Sequence, residues 1–171
     1  LCLIPYSFFL SGAEQPNIIY ILADDMGYGD VAANNPNCKF PTPFLDQLAE
    51  EGMRFSDAHT NSSVCTPTRY GILTGRYSWR THLKGGVLDG AAGPLIASDR
   101  TTVATFLKKQ GYNTACVGKW HLGMSWPTKD GKKPVRSRGD NIDFTQPTAN
   151  GPNDVGFDYF YGISASLNMP P

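Results

Sequence analysis

The sequence predicts an α/β fold with a mostly parallel central sheet flanked by helices. Two apolar or β-prone runs, residues 18–23 (IIYILA) and 114–117 (TACV), are typical of buried strands. Three stretches with helix start and stop signals lie between these runs. Strands that alternate with helices in this way favour a layered α/β architecture over an all-helical or all-β one.

The predicted elements follow in chain order. A first helix begins after the capping residue Thr42, with Pro43 at its first position, and ends at Gly52. Residues 53–60 (MRFSDAHT) resemble a short strand. A second helix has Thr66 as its cap and Pro67 at its first position, and runs to Gly75.

A third helix covers residues 101–111 and leads into the predicted strand at 114–117. Residues 124–156 are then rich in Gly, Pro, Asp, Asn and Lys and show little periodicity. A loop of this length inside a compact domain is usually functional or mobile. At 171 residues the chain suits one domain.

The first residues, 1–13 (LCLIPYSFFLSGA), form an apolar run that ends in small residues. We expect this run to be the remnant of a signal peptide, and the alternative is a buried first strand. A signal peptide implies a secreted, periplasmic or lysosome-like secretory location, and the run is too short for a stable membrane span. Residues 14–171 then form the folded part.

Charge and cysteine usage exclude some classes of function. Fifteen basic and fifteen acidic residues cancel, so no global field attracts nucleic acid or an anionic membrane. Any specificity for anions must therefore be local. The four cysteines (Cys2, Cys38, Cys65 and Cys116) include no C-x-x-C pair, which disfavours zinc and thioredoxin-type sites.

Asp24 and Asp25 follow the first predicted strand, at the sheet edge where open α/β folds bind ligands. Carboxylate oxygens select Ca²⁺ or Mg²⁺, although a solvated turn explains an isolated pair equally well. Residues 27–32 (GYGDVA) also match the dinucleotide pattern G-x-G-x-x-A. Two carboxylates before that turn would repel a pyrophosphate, and residues 34–36 (NNP) end any helix almost at once.

Lys119 and His121 follow the second predicted strand, where an ammonium and an imidazole could face a small anion. The alternative is a surface lysine and a core histidine. Cys65 lies just ahead of a predicted helix N-terminus, which favours negative charge, and Arg69 can pair with an anion there. Such a cysteine is a reactive thiolate, half of a disulfide, a precursor of another group, or a buried structural residue.

Three motifs, ILADDMGYGD, CTPTRYGILTGR and GKWHLG, together resemble the type I sulfatases of the alkaline phosphatase superfamily. The resemblance implies that residues 14–171 are the N-terminal part of a longer catalytic domain and are inactive alone. It implies that a formylglycine-generating enzyme recognises Cys65, Pro67 and Arg69 and oxidises Cys65 to Cα-formylglycine. The hydrated aldehyde is then the nucleophile that attacks a sulfate monoester.

The same resemblance assigns further roles. Asp24, Asp25 and the modified residue 65 would bind one Ca²⁺, while the remaining metal ligands lie much later in the family's chains. Arg69 would hold the site together, Lys119 would contact residue 65 and the sulfate, and His121 would hydrogen-bond the diol. Ser166 matches a polar residue of the sulfate site, with Ser164 close by.

Two alternatives remain open at this point. Some members of the superfamily are phosphodiesterases or phosphonate hydrolases with the same nucleophile. A relative that binds sulfated glycans without turnover is the second alternative. The substrate would be a sulfate ester, with sulfated carbohydrates included in that class.

Overall fold

The computed structural model describes residues 15–136 and 138–169. Residues 1–13, where a signal peptide is predicted, lie outside them. The chain divides into two compact units, Leu1–Arg54 and Phe55–Pro171. Among the described residues, no helix is both long and apolar enough to cross a membrane.

Within residues 15–54, the described part of the first unit, there is one α-helix, α1 (Pro43–Glu51), which confirms the predicted helix. Thr42 occupies the N-cap position, but its side chain makes no capping hydrogen bond. The hydroxyl instead accepts from the N–H of Ala32 at 2.9 Å and donates to Asp46 at 3.0 Å. Thr42 therefore fastens a preceding turn to the helix, and proline supplies the start signal.

The two strands predicted in and beside this unit are absent. Residues 18–23 have no ladder partner among the described residues, and Ile19 and Ile21 are 85% and 82% exposed. Residues 53–60 are likewise irregular and exposed. Both predictions of a strand were wrong because apolar patterning expresses only a local preference, whereas a strand also needs a neighbour for its backbone groups.

The second unit holds the sheet, which consists of β1 (Ala115–Lys119) and β2 (Tyr159–Ile163). The strands are parallel and in register, with Ala115 opposite Tyr159 and Lys119 opposite Ile163. The prediction of a strand near 114–117 is confirmed. Strand β2 was missed by the sequence analysis, although three consecutive aromatic residues at 159–161 are β-prone.

Two helices accompany the sheet, α2 (Cys65–Thr74) and α3 (Val103–Lys109). Helix α2 begins at Cys65, so Val64 rather than Thr66 is its N-cap, and it ends at Gly75 in the left-handed region. Helix α3 is capped by Thr102, whose hydroxyl accepts from the N–H of residue 105 at 3.1 Å. Both helices are confirmed, with α2 starting earlier than predicted.

The core of the second unit lies between these elements. Its buried residues come from α2, from the irregular segment before α3, from the turn after β1 and from the turn before β2. They are Tyr70, Leu88, Leu95, Ile96, Trp120, Leu122, Met124 and Val155. The long connection from β1 to β2 has two isolated bridges and a short 3₁₀ turn, so the prediction of a long loop is confirmed.

Candidate active site

Asp24 and Asp25 lie at a bend in the first unit. Asp25 has a φ of 59°, in the left-handed region that non-glycine residues seldom adopt. The extended conformation of the preceding residues therefore ends at this bend. Two adjacent carboxylates at such a bend are hard oxygen donors, which suit Ca²⁺ or Mg²⁺.

The dinucleotide alternative for residues 27–32 fails in the structure. Two 3₁₀ turns, Tyr28–Asp30 and Ala32–Asn34, follow the glycines instead of an α-helix. The carboxylate of Asp30 also accepts the N–H of Gly27 at 2.8 Å, so a negative charge occupies the place of the phosphate. No helix N-terminus is available there to bind a pyrophosphate.

Cys65 is the first residue of α2 and is half-buried, while Thr66, Pro67 and Thr68 behind it are buried. The thiol is free, as are the thiols of Cys38 and Cys116, so among the described residues Cys65 is not half of a disulfide. The free amides and the dipole of a ten-residue helix favour negative charge at this end. Cys65 is thus placed where an anion would bind.

Arg69 lies one turn further along α2 and joins the helix to the sheet. Its Nη1 donates to the backbone carbonyl of Lys119 at 2.5 Å, at the carboxyl end of β1. Burial raises the pKa of the neighbouring Cys116 thiol, and the positive charge of Arg69 acts against that rise. The guanidinium is therefore fixed between the helix N-terminus and the strand end.

Backbone hydrogen bonds between the two chain segments continue beyond the last residue of β1. The N–H of Trp120 donates to Ile163 O, and the N–H of His121 donates to Ser164 O, each at 2.9 Å. His121 has a φ of 56° and is 1% exposed. The turn after β1 is consequently held to the end of β2, and Lys119 and His121 share the carboxyl edge of the sheet.

The imidazole of His121 makes a buried contact that the sequence does not reveal. Its Nε2 lies 2.8 Å from the backbone oxygen of Leu88, and a carbonyl can only accept, so Nε2 carries the hydrogen. The N–H of Leu88 donates in turn to the hydroxyl of Thr66 at 3.2 Å. Sequence reasoning missed this position, because Leu88 contacts Thr66 and His121 through its backbone, which leaves no mark on side-chain patterns.

Ser166 is half-buried and lies just beyond the end of β2. Its carbonyl accepts the N–H of Met169 at 2.9 Å, which closes a turn after the strand. Ser164 contacts a predicted site residue directly, because its carbonyl accepts the N–H of His121. Both serines follow the end of β2, which lies beside the end of β1 where Lys119 and His121 are found.

The second unit therefore assembles four of the predicted site residues, Cys65, Arg69, Lys119 and His121, between the start of α2 and the carboxyl edge of the sheet. Asp24 and Asp25 belong to the first unit. No cluster of three or more His, Cys, Asp or Glu side chains suited to a metal occurs in residues 15–136 and 138–169. Two carboxylates fit a hard cation but supply only part of the roughly six to eight oxygens that Ca²⁺ takes.

Similar proteins agree with this architecture. A model of the sulfatase family matches residues 16–171. The N-acetylgalactosamine-6-O-sulfatase of Bacteroides thetaiotaomicron is 38% identical over 93% of the chain, and arylsulfatase G of Mus musculus is 40% identical over 95%. The chain spans 28% and 27% of the length of these two relatives.

Solved structures match as well. One comes from work titled for the metabolism of multiple glycosaminoglycans by Bacteroides thetaiotaomicron, with a TM-score of 0.79 and 38% identity over 93% of the chain and 30% of its own length. A sulfatase from Pseudoalteromonas has a TM-score of 0.60 and 30% identity over 85% of the chain and 25% of its own length. The α/β fold is thus shared with solved structures, and the chain belongs to the sulfatase family.

Proposed function

We propose that the protein containing this chain hydrolyses sulfate monoesters. The observation that carries the proposal is the arrangement at the start of α2, where Arg69 binds the Lys119 carbonyl and His121 is bonded to the segment that Thr66 holds. In this proposal the N-terminus of α2, the guanidinium of Arg69, the ammonium of Lys119 and the imidazole of His121 would act together on residue 65. Such a set suits a tetrahedral oxyanion that must be attacked and released.

The nucleophile in this proposal is residue 65 after its oxidation to Cα-formylglycine by a formylglycine-generating enzyme. The free, half-buried thiol of Cys65 fits this role because it is neither in a disulfide nor sealed in the core. One hydroxyl of the hydrated aldehyde attacks sulfur and the alcohol of the ester leaves, and the second hydroxyl then expels sulfate, which divides hydrolysis into two easier steps. The aldehyde is restored at the end.

Arg69 and Lys119 act on the charge in this mechanism. Arg69 cannot move freely because its Nη1 is bonded to a strand end, so its positive charge is preorganised for an anion at the helix start. Lys119, the last residue of β1, would bring its ammonium to the sulfate and to residue 65. Fixed positive charge costs no reorganisation when negative charge develops on the leaving oxygen.

His121 would handle a proton of the hydrated residue 65. Because Nε2 donates to Leu88, the other ring nitrogen of a neutral imidazole is an acceptor and can take a hydrogen bond from a hydroxyl. Ser166 would bind a sulfate oxygen from the end of β2. Arg69, Lys119 and His121 are therefore assigned different parts of one reaction.

We also propose that Asp24 and Asp25 bind Ca²⁺ through their carboxylates. A bound calcium ion would lower the pKa of a hydroxyl and neutralise charge on the sulfuryl oxygens. The adjacent carboxylates of Asp24 and Asp25, with the backbone of Asp25 in the left-handed region, support the binding of a hard cation. Removal of Ca²⁺ with a chelator should abolish turnover, and Ca²⁺ should restore it.

The substrate class that we propose is a sulfated carbohydrate, supported by the relative named as an N-acetylgalactosamine-6-O-sulfatase. A sulfated carbohydrate substrate fits our proposal that the protein is secreted, periplasmic or in a lysosome-like compartment. A phosphodiesterase or phosphonate hydrolase is a second candidate, because the charged groups named above would also suit a phosphoryl group.

The test is mass spectrometry of the peptide that contains residue 65, combined with turnover assays. We expect formylglycine at residue 65 in a host with the maturation enzyme, and hydrolysis of an aryl sulfate faster than of an aryl phosphodiester. Cys65→Ala should lose turnover while still binding a sulfated glycan. Unmodified cysteine in an active enzyme would falsify the proposed nucleophile, and equal turnover by Cys65→Ala would contradict it independently.

A further inference from the structure

We propose that Thr66 is a positioning residue for this reaction, and that it holds His121 in place through the backbone of Leu88. The proposal rests on the proposed function, since it concerns how the histidine of that site is kept in register with residue 65. Thr66 is the residue directly after Cys65, and its side chain contacts no part of the expected substrate in this account.

The hydrogen-bond chain that supports the proposal is buried throughout. Thr66 is fully buried, His121 is 1% exposed and Leu88 is 8% exposed. Leu88 donates its N–H to Thr66 Oγ1 at 3.2 Å and accepts His121 Nε2 at its carbonyl at 2.8 Å. One residue therefore connects the first turn of α2 to the imidazole.

The segment that carries Leu88 has no helix or strand of its own to fix it. Between the short 3₁₀ turn Ser78–Arg80 and α3 the described chain is irregular. Its backbone-to-backbone hydrogen bonds to the turn after β1, from Leu95 N–H to Leu122 O and from Met124 N–H to Ala92 O, begin several residues later. Leu88 itself is bonded to Thr66 through its N–H and to His121 through its carbonyl, and the carboxylate of the next residue, Asp89, accepts from Arg136 at 3.0 Å. The hydroxyl of Thr66 is thus the contact that holds the N–H of Leu88.

Loss of this hydroxyl has a defined physical consequence. With valine at position 66 the N–H of Leu88 would remain buried without an acceptor. The free-energy cost of this is larger than for an N–H that is exposed to water. The segment would shift to relieve it, and the carbonyl that holds Nε2 would shift with it. Catalysis is sensitive to displacements of about 1 Å, which cost on the order of a hundredfold in rate.

Three variants separate positioning from general damage. Thr66→Val removes the acceptor at nearly constant shape, Thr66→Ser keeps it, and Thr66→Ala removes it without adding a methyl group. Thr74→Val is the matched control, because it removes a hydroxyl from a half-buried threonine of the same helix. That hydroxyl donates to the carbonyl of Tyr70 at 2.6 Å. Formylglycine content is measured by mass spectrometry for each variant, so that rates refer to modified enzyme.

We expect kcat of Thr66→Val and Thr66→Ala to fall by roughly 10- to 100-fold, with KM changed by less than about threefold. The acid or base limb of the pH profile of kcat should move in these two variants. Thr66→Ser and Thr74→Val should stay close to the wild type. Wild-type kcat and an unchanged pH profile in Thr66→Val, at equal formylglycine content, would overturn the proposal.

A measurement independent of activity distinguishes this proposal from the proposed function. In ¹⁵N-histidine NMR, with the signal assigned by its loss in His121→Gln, we expect His121 of the wild type to carry its hydrogen on Nε2. Thr66→Val should change this signal, and Thr66→Ser should preserve it. If fully modified wild-type protein hydrolyses no sulfate ester, the proposed function fails; an unchanged His121 signal in Thr66→Val refutes the positioning role in either case.

Discussion

Replacement of Trp120 by phenylalanine should destabilise the second unit markedly. Trp120 lies between Lys119 and His121, is 2% exposed, and donates its indole N–H to Gly123 O at 2.9 Å. Phenylalanine lacks this donor, so a buried carbonyl loses its partner, and the smaller ring leaves a gap in the core. Together these losses should lower the free energy of unfolding by about 2–4 kcal/mol.

The assay is urea denaturation followed by circular dichroism, in which we expect a lower midpoint and an unchanged slope. Trp79→Phe is the matched control because Trp79 is 52% exposed and contacts Tyr77 and Arg80 at the surface. It should cost less than about 1 kcal/mol. If Trp79→Phe were as destabilising as Trp120→Phe, the argument from burial and the indole hydrogen bond would be wrong.

Two further predictions concern backbone conformation and acid stability. Gly123→Ala should cost well over the roughly 1 kcal/mol expected for Gly131→Ala. Both glycines have φ near 70°, but an added Cβ at Gly123 would lie 2.0 Å from Gly93 O while Gly131 faces open space. Similar melting temperatures for the two variants would contradict this. The ammonium of Lys108 and the hydrogen bonds of Thr114 lower the pKa of Asp158 from 3.8 to about 2. The folded pKa lies below the unfolded one, so the stabilisation is complete above about pH 4 and is lost as pH falls toward 2. Thermal melts should therefore show Asp158→Asn less stable than the wild type at neutral pH, with the difference shrinking between pH 4 and pH 2; a constant difference would refute the assignment.

Helices were predictable from the sequence because their signals are local. Proline at the first position of α1, threonine before α3 and glycine after α2 each act within one turn of the helix end. The structure moves the start of α2, where Cys65 rather than Pro67 is the first residue, and it shortens the third helix from 101–111 to Val103–Lys109. A shift of this size lies within the usual fraying of helix ends.

Strands were harder because pairing is not local. Residues 18–23 have the composition of a buried strand and no partner among the described residues, whereas β2 was overlooked and pairs with β1. A pattern in one segment carries no information about which other segment will lie beside it. The predicted α/β class was nevertheless right, because β1 and β2 are parallel.

The candidate site likewise includes residues that could be proposed from the sequence and one contact that could not. Cys65, Arg69, Lys119 and His121 were chosen as candidates because their side chains occur at a helix start or a strand end, and their roles stay predictions. Leu88 was not, since it contributes only an N–H and a carbonyl. The side-chain types in a sequence indicate which chemistry a site could perform. Contacts made by backbone groups, such as those of Leu88, can be found only in the three-dimensional structure.

The long connection between β1 and β2 has a consequence for the order of events during folding. Parallel pairing of Ala115 with Tyr159 must wait until the intervening chain has closed, and such non-local contacts form slowly. Pro67 is buried once the second unit is complete. In the proposed function, an enzyme that recognises Pro67 and modifies Cys65 would act before this closure, so slow sheet formation would lengthen the time in which the nascent chain can be modified.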